Sequence, residues 1–239
     1  MERILPGAPL TEAELNALRA FDTPTICNAL EIVAPERRAL GFTTETLICP
    51  FPKLPPMVGY ARTALIRSAL PPGLSGAEQR QARLEYYRYV AAGAGPKVVV
   101  IQDVDSRVGF GCFWGEVQTA IHKGLGCLGL VTDGGVRDVD AIAPEFQVLC
   151  GKVTPSHAWV HSIGFGGTVD VFGMIVRSDD LIHADRHGAV VIPKEVAREV
   201  PRAAELCARR EAPILKVARS PDFSLEALER AMAEAAEIH

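Results

Sequence analysis

The stretch 129–142, GLVTDGGVRDVDAI, restricts the fold more than any other part of the chain. An apolar run ends in an acid, two glycines follow, then Arg137 and Asp138 side by side, then a further acidic segment. This shape reads as a buried strand whose C-terminal end enters a glycine turn and then a helix starting at Asp138. In α/β sheets that is where ligands usually sit. The residue types suit chemistry there. A guanidinium offers a planar fork of donors to a carboxylate, and a carboxylate is a hard oxygen ligand for a cation such as Mg²⁺. Together they could hold a 2-oxo acid by both ends. The plainer alternative is a pair of solvent-facing turn residues, because a dipeptide is too short to be specific. Upstream, Gly115-Glu116-Val117-Gln118 follows Trp114 and opens a helical segment over 114–124, whose first N–H groups are available to an anion.

The rest of the chain surrounds this stretch with alternating elements. Thr11 with Glu14 is a capping box, followed by a helix over 12–21; Thr23-Pro24 starts another, with Ile26, Leu30 and Val33 on one face. Prolines make 47–56 a loop, and 60–66 is a strand in which Arg62 reads as exposed. Residues 77–92 suit a helix turning Leu84, Tyr87 and Ala91 inward, and 98–103 is an apolar strand of the kind buried on both faces. Asp103 and Asp105 at its end read as loop solvation. Residues 124–129 match GxGxxG, but they leave a helix and enter a strand, the reverse of a dinucleotide fingerprint, so no nucleotide cofactor is expected. A strand over 146–150 and several short strands follow, with 180–185 and 189–193 joined by a tight turn at 186–188; this pattern argues against a TIM barrel. The segment from Lys194 is helical, with an interruption at Pro201 and an end near Pro213, and Ser224 caps a last helix through Glu237. His157 and His161 have the spacing of a helical zinc pair but lack the glutamate of HExxH and any cysteine partner.

Composition narrows the function classes. Over 239 residues, 48% hydrophobic content is enough for a core, and a net charge of −4 with no basic strip speaks against direct nucleic-acid binding. Six separated cysteines with no CxxC pair read as buried free thiols of a reducing compartment. No run approaches the ~20 apolar residues of a membrane span, and the N-terminus lacks the pattern of a secretory leader. These readings add up to a soluble cytoplasmic α/β protein of one domain over 1–239, with N-terminal helices (1–40), a core (57–193) and C-terminal helices (194–239). Its expected partners are small molecules and other subunits.

The ordered set FDTPTICNAL, MVGYARTA, VVVIQDVD, WGEV, GLVTDGGVRD and DDLIHADRHGAVVIP resembles the family that joins 4-hydroxy-4-methyl-2-oxoglutarate aldolases with regulators of ribonuclease activity. The resemblance runs from about Leu18 to Pro193. It implies a swivelling-domain-like fold of layered β-sheets flanked by helices, assembled as trimers or hexamers with the site between subunits. It also implies that Gly115, Glu116, Val117, Gln118 and Arg137 hold pyruvate, that Asp138 binds Mg²⁺ or Mn²⁺, and that Arg137 and Asp138 are the catalytic pair. The implied reaction is cleavage of 4-hydroxy-2-oxo acids to pyruvate, with oxaloacetate decarboxylation as a side activity. Breaking a C–C bond beside a 2-oxo acid leaves an enolate, which a divalent cation stabilises as a Lewis acid, so no lysine Schiff base is required. A non-catalytic regulator of ribonuclease or helicase machinery and another metal-enolate enzyme are the alternatives. The chain departs from the family pattern at Ala141, where an acid often stands, at Asn28, and at Ser178-Asp179-Asp180.

Overall fold

A computed structural model describes residues 9–239. The N-terminal segment examined for a leader therefore lies mostly outside the described residues. The capped helix α1 (Glu12–Arg19) and α2 (Thr23–Val33) come first, as the sequence predicts, with Thr11 and Asp22 as their N-caps. Then follow β1 (Met57–Arg67), α3 (Gly76–Ala91), β2 (Lys97–Asp103), β3 (Cys112–Trp114), α4 (Glu116–Gly124) and β4 (Cys127–Val136). The second half is β5 (Gln147–Val153), β6 (His161–Phe165), β7 (Val169–Val171), β8 (Met174–Val176), β9 (Leu181–Asp185), β10 (Gly188–Ile192), α5 (Val200–Ala218) and α6 (Leu225–Ala236).

Eight strands form one mixed sheet. The order is β10-β9-β1-β2-β4-β3, with β5 also on β4 and β6 also on β1, while β7 and β8 make a separate hairpin. Strands β1, β2, β4 and β5 run parallel, and β9, β10 and β6 are antiparallel additions. Valines alternate in β2 so that both faces are buried: Val99 and Ile101 join Tyr86, Trp114 and Leu130 under the helices, and Val98 and Val100 join Val171 and Met174 of the hairpin. This is the doubly covered strand that the apolar run predicts. A third cluster places α1, α2 and α5 over Val58, Leu181 and Val190.

The HADRHG segment locks α2 to the sheet. Asp185 accepts the Thr23 N–H at 3.0 Å, and His183 contacts the Thr23 hydroxyl and the Phe21 carbonyl, both at 3.0 Å. The carbonyl can only accept, so Nε2 of His183 carries the proton and Nδ1 receives the hydroxyl. Burial pushes the imidazole down to about 4, so it stays neutral.

Several local expectations fail for tertiary reasons. The glycines Gly134 and Gly135 do not form a turn; β4 continues through them to Val136, and no helix starts at Asp138, only a 3₁₀ turn over Val139–Ala141. Arg62 is 5% exposed rather than solvated, held by Asp179 at 2.6 Å and the Tyr89 carbonyl at 2.7 Å, with the Tyr89 ring 3.9 Å away. Helix α3 buries Tyr86 and Val90, leaving Leu84 exposed, because its partner is the aromatic cluster of Phe113, His122 and Phe165. Trp114 ends a strand instead of opening a helix. Pro201 starts α5 and Pro213 lies within it, where packing on α2 and α6 outweighs one lost hydrogen bond. Of the six thiols, Cys112, Cys127 and Cys150 are buried and the others are half-buried. The match to GxGxxG does serve the sheet: a Cβ on Gly129 would sit 2.2 Å from the Gln147 carbonyl of β5.

The acids at the end of β2 are structural. Asp105 accepts from the N–H groups of Ser68 at 2.6 Å and Ala69 at 2.9 Å, and Asp103 accepts from Asp105 and Gly109. Burial raises the Asp105 carboxyl, but those N–H groups outweigh it and leave it lowered. Asp133, on β4, accepts the Asp103 N–H at 2.8 Å, and burial, with Asp103 and Asp170 nearby, lifts its carboxyl to about 7. Its folded value lies above its unfolded one, so it binds a proton more tightly when folded and stability declines as pH rises from about 4 to 7. Asp133→Asn keeps the acceptor and removes the charge. The mutant is expected to match the wild type near pH 4 and to exceed it by roughly 1–2 kcal/mol at pH 8, read by urea denaturation at both pH values. An equal difference at both would contradict this assignment.

Candidate active site

The candidate cleft forms where β3 and β4 end. Between Thr132 and Gly135 the register of β4 against β5 shifts, marking a bulge at Asp133-Gly134. The Gly134 N–H turns to the Thr132 hydroxyl at 3.0 Å, and Gly151 on β5 leaves room for the displaced Asp133 carbonyl, which a Cβ there would meet at 2.0 Å. A bulge re-aims the end of a strand. Here it carries Arg137 and Asp138 to the start of α4, where the Arg137 N–H donates to the Trp114 carbonyl at 3.0 Å. Asp138 then takes a left-handed conformation, φ 52° and ψ 40°, which aspartate tolerates better than most side chains.

The N-cap of α4 is Gly115, which has no side chain to accept from the first turn. The leading N–H groups of Glu116, Val117 and Gln118 therefore lack an intrahelical partner and remain available to an anion. Glycine is needed for space: a Cβ on Gly115 would lie 2.6 Å from Oδ2 of Asp138 and 3.2 Å from Cγ of Arg137. Arg137 and Asp138 are themselves a loose pair, Nε to Oδ2 3.5 Å, each about 40% exposed. All six residues singled out from the sequence, Gly115, Glu116, Val117, Gln118, Arg137 and Asp138, line one cleft of about 880 Å³.

The sequence alone does not reveal the other walls. They come from the 72–74 loop, from α3 through Gln79, Arg83 and Tyr86, and from the segment 157–165. Tyr86 is buried and lies 2.8 Å from Nε2 of His122, whose Nδ1 is 2.6 Å from the Gln118 carbonyl. Nδ1 must then be protonated, so the Tyr86 hydroxyl donates; burial holds this imidazole near 4 and neutral. Tyr87 donates to Oε1 of Gln118 at 3.0 Å, a second tie between α3 and the first turn of α4. His157 and His161 are not on a helix, so their spacing has no zinc-pair geometry; both line the cleft, in a turn and at the start of β6.

Comparison with known proteins decides the family. The profile described as RraA-like, aldolase/RraA, matches residues 23–191. The chain belongs to the aldolase/RraA family. A protein from Methanocaldococcus jannaschii of uncharacterized role is 36% identical over 89 residues, 36% of this chain and 43% of that one. A Halalkalibacterium halodurans protein provisionally named 4-hydroxy-4-methyl-2-oxoglutarate aldolase is 34% identical over 82 residues, 34% of this chain and 39% of its own. Each match thus spans less than half of the curated relative. Among solved structures, an uncharacterized Pseudomonas syringae pv. tomato protein aligns with TM-score 0.71 at 19% identity, covering 98% of this chain and 99% of its own. An unusual member of the RNase ES inhibitor RraA family from Streptomyces coelicolor aligns with TM-score 0.66 at 22% identity, covering 85% and 96%. These likenesses confirm the fold of an RraA-type α/β protein. No helix among the described residues is long and apolar enough to cross a membrane.

A divalent cation is the cofactor the family implies, and the donor set fits one. Asp138 is half-exposed, Glu116 lines the same cleft, and the missing Cβ of Gly115 leaves space beside Oδ2. Among the described residues no three His, Cys, Asp or Glu side chains gather into a closed cage. Mg²⁺ usually keeps several waters and takes only one or two protein carboxylates. Gly115 is extended, φ −174°, so Gly115→Ala strains no backbone and instead presses on the Asp138 carboxylate. The variant is expected to fold with stability within about 1 kcal/mol of wild type and to bind Mn²⁺ on the order of tenfold more weakly, measured by titration calorimetry. Unchanged Mn²⁺ affinity would remove Asp138 from the metal site.

Proposed function

We propose that this protein is a divalent-metal-dependent lyase that cleaves 4-hydroxy-2-oxo acids, of the 4-hydroxy-4-methyl-2-oxoglutarate type, to pyruvate, with oxaloacetate decarboxylation as a side activity. The observation that carries this reading is the meeting of Arg137, Asp138 and the uncapped first turn of α4 in one cleft across Gly115. Membership of a family that includes an aldolase name supports it.

Each residue has a separate task. The Arg137 guanidinium receives the substrate carboxylate through two parallel N–H donors, which fixes the plane of the 2-oxo acid. The N–H groups of Glu116, Val117 and Gln118 donate to an anionic oxygen on the other side of Gly115, aided by the positive end of the helix. Asp138 would hold Mg²⁺ or Mn²⁺, and Glu116 lines the same cleft. When bound, such an ion supplies Lewis-acid stabilisation of the charge left by C–C cleavage. Burial raises the Cys112 thiol, which lines the same cleft as a neutral group.

Assembly belongs to the same proposal. The rim of the cleft exposes Leu74, Val117, Trp159, Ile163 and Phe165, with Trp159 59% exposed, and a lone carboxylate is a sparse metal site. A trimer or hexamer that seats a neighbour on this rim would cover the apolar surface and complete the cleft. Sedimentation at micromolar concentration is expected to give three or six subunits, and an active monomer would contradict it.

The roles of the central pair separate by mutation. Asp138→Asn keeps the shape but removes the charge that anchors the cation, so kcat for oxaloacetate decarboxylation is expected to fall a hundredfold to a thousandfold, about 3–4 kcal/mol. Arg137→Lys keeps the charge and loses the fork, so KM rises strongly while Mn²⁺ affinity changes far less than in Asp138→Asn. Equal Mn²⁺ affinity in wild type and Asp138→Asn, with no turnover in either, would favour a non-catalytic binding protein.

A further inference from the structure

The cleft holds a second guanidinium, remote in sequence from the Arg137–Asp138 pair. Arg83 on α3 is exposed to the cleft and makes no hydrogen bond or salt bridge among the described residues. An exposed arginine is usually only solvated, but this one is placed. Gln79, Arg83 and Tyr87 are spaced by four, so they share one face of α3. Tyr87 is tied to Gln118 in the first turn of α4 at 3.0 Å, and its neighbour Tyr86 is tied to His122 at 2.8 Å. These two bonds pin α3 against α4, so Arg83 stands one helical turn from a stitched contact.

The wall from β6 adds polar capacity. Nδ1 of His161 is 2.7 Å from the Trp159 carbonyl and therefore carries a proton, which leaves Nε2 without a protein partner among the described residues. Nδ1 of His157 is tied in the same way to the Ala158 carbonyl at 2.8 Å. The cleft thus holds one guanidinium already beside a carboxylate, Arg137 at Asp138, and a second, Arg83, with no counter-charge among the described residues. At about 880 Å³ it is also far larger than a three-carbon oxo acid requires.

We infer that Arg83 is a specificity-determining residue, the anchor for the far carboxylate of a 2-oxo diacid whose 2-oxo carboxylate is held by Arg137. This rests on the proposed function for the Arg137 end. A diacid would offer a carboxylate to each of the two guanidiniums, and a monoacid of equal length would leave Arg83 unpaired.

The experiment compares two five-carbon ligands, 2-oxoglutarate and 2-oxopentanoate, which differ in the far carboxylate. Binding is measured by calorimetry with Mn²⁺ present, on the full chain and on Arg83→Gln, Arg83→Lys and Arg137→Lys. The wild type is expected to prefer 2-oxoglutarate by on the order of tenfold, as a charge-assisted hydrogen bond at a partly exposed site provides. Arg83→Gln is expected to bring the ratio near one through weaker binding of the diacid, and Arg83→Lys to restore part of it. No preference in the wild type, a preference retained in Arg83→Gln, or an equal loss for both ligands would overturn the assignment. The monoacid reports on the other end alone: if Arg137→Lys leaves its affinity unchanged, the function proposed for Arg137 fails separately. Binding of neither ligand by the wild type would overturn both.

Discussion

The bulge at Asp133-Gly134 in β4 is the constraint on which the site depends. Strand β4 is hydrogen-bonded to β2, β3 and β5, so its end has little freedom of its own. A regular strand would alternate its side chains across the sheet to the last residue. The extra residue breaks that alternation just before Arg137, and small residues on the neighbouring strand make the break possible: Gly151 admits the Asp133 carbonyl. The same displacement puts the Asp133 carboxyl in a buried place beside Asp103, which is why it resists ionisation. A buried carboxyl that resists ionisation thus sits beside the strand end that aims the site residues.

Around that strand end the protein uses neutral hydrogen bonds rather than ion pairs for positioning. His122 is uncharged, receives the Tyr86 hydroxyl and donates to the Gln118 carbonyl, so it links α3 to α4 without placing a fixed charge beside the cleft. His183 does the same between β9 and α2. A charged side chain in either place would have needed a buried counter-ion, with the desolvation that entails. The charges that remain open to the cleft, Arg83, Glu116, Arg137 and Asp138, are those left half-exposed or exposed.

Glycine carries the rest of the geometry by being small. At Gly115 the backbone is extended and any residue could adopt it, yet a Cβ would meet the Asp138 carboxylate. At Gly129 and Gly135 the strands approach so closely that a Cβ would overlap a neighbour. The helix start that leaves anion-binding N–H groups uncapped and the strand end that brings a carboxylate beside it are therefore compatible only because one residue between them has no side chain.

What the sequence determined by itself is the set of local patterns with strong periodicity. The capping box at Thr11, the doubly buried strand 98–103, the hairpin at 186–188, and the two segments 115–118 and 137–138 taken singly are legible because neighbours in sequence are neighbours in space there, whereas the meeting of those two segments in one cleft is tertiary. The reversed GxGxxG is legible for the same reason, since only the order of strand and helix matters. The tertiary structure alone decided the burial of Arg62, Asp103 and Asp105, whose partners lie on segments distant in the chain or on loop N–H groups. It also decided that β4 continues past the bulge at Asp133-Gly134 instead of turning, because Gly135 pairs with Cys112 on β3 and Lys152 on β5. The wall of α3, with Arg83, could not be read from sequence: its weakly amphipathic pattern allows several faces inward, and the choice is made by Phe113, His122 and Phe165, which the chain brings there from three other elements.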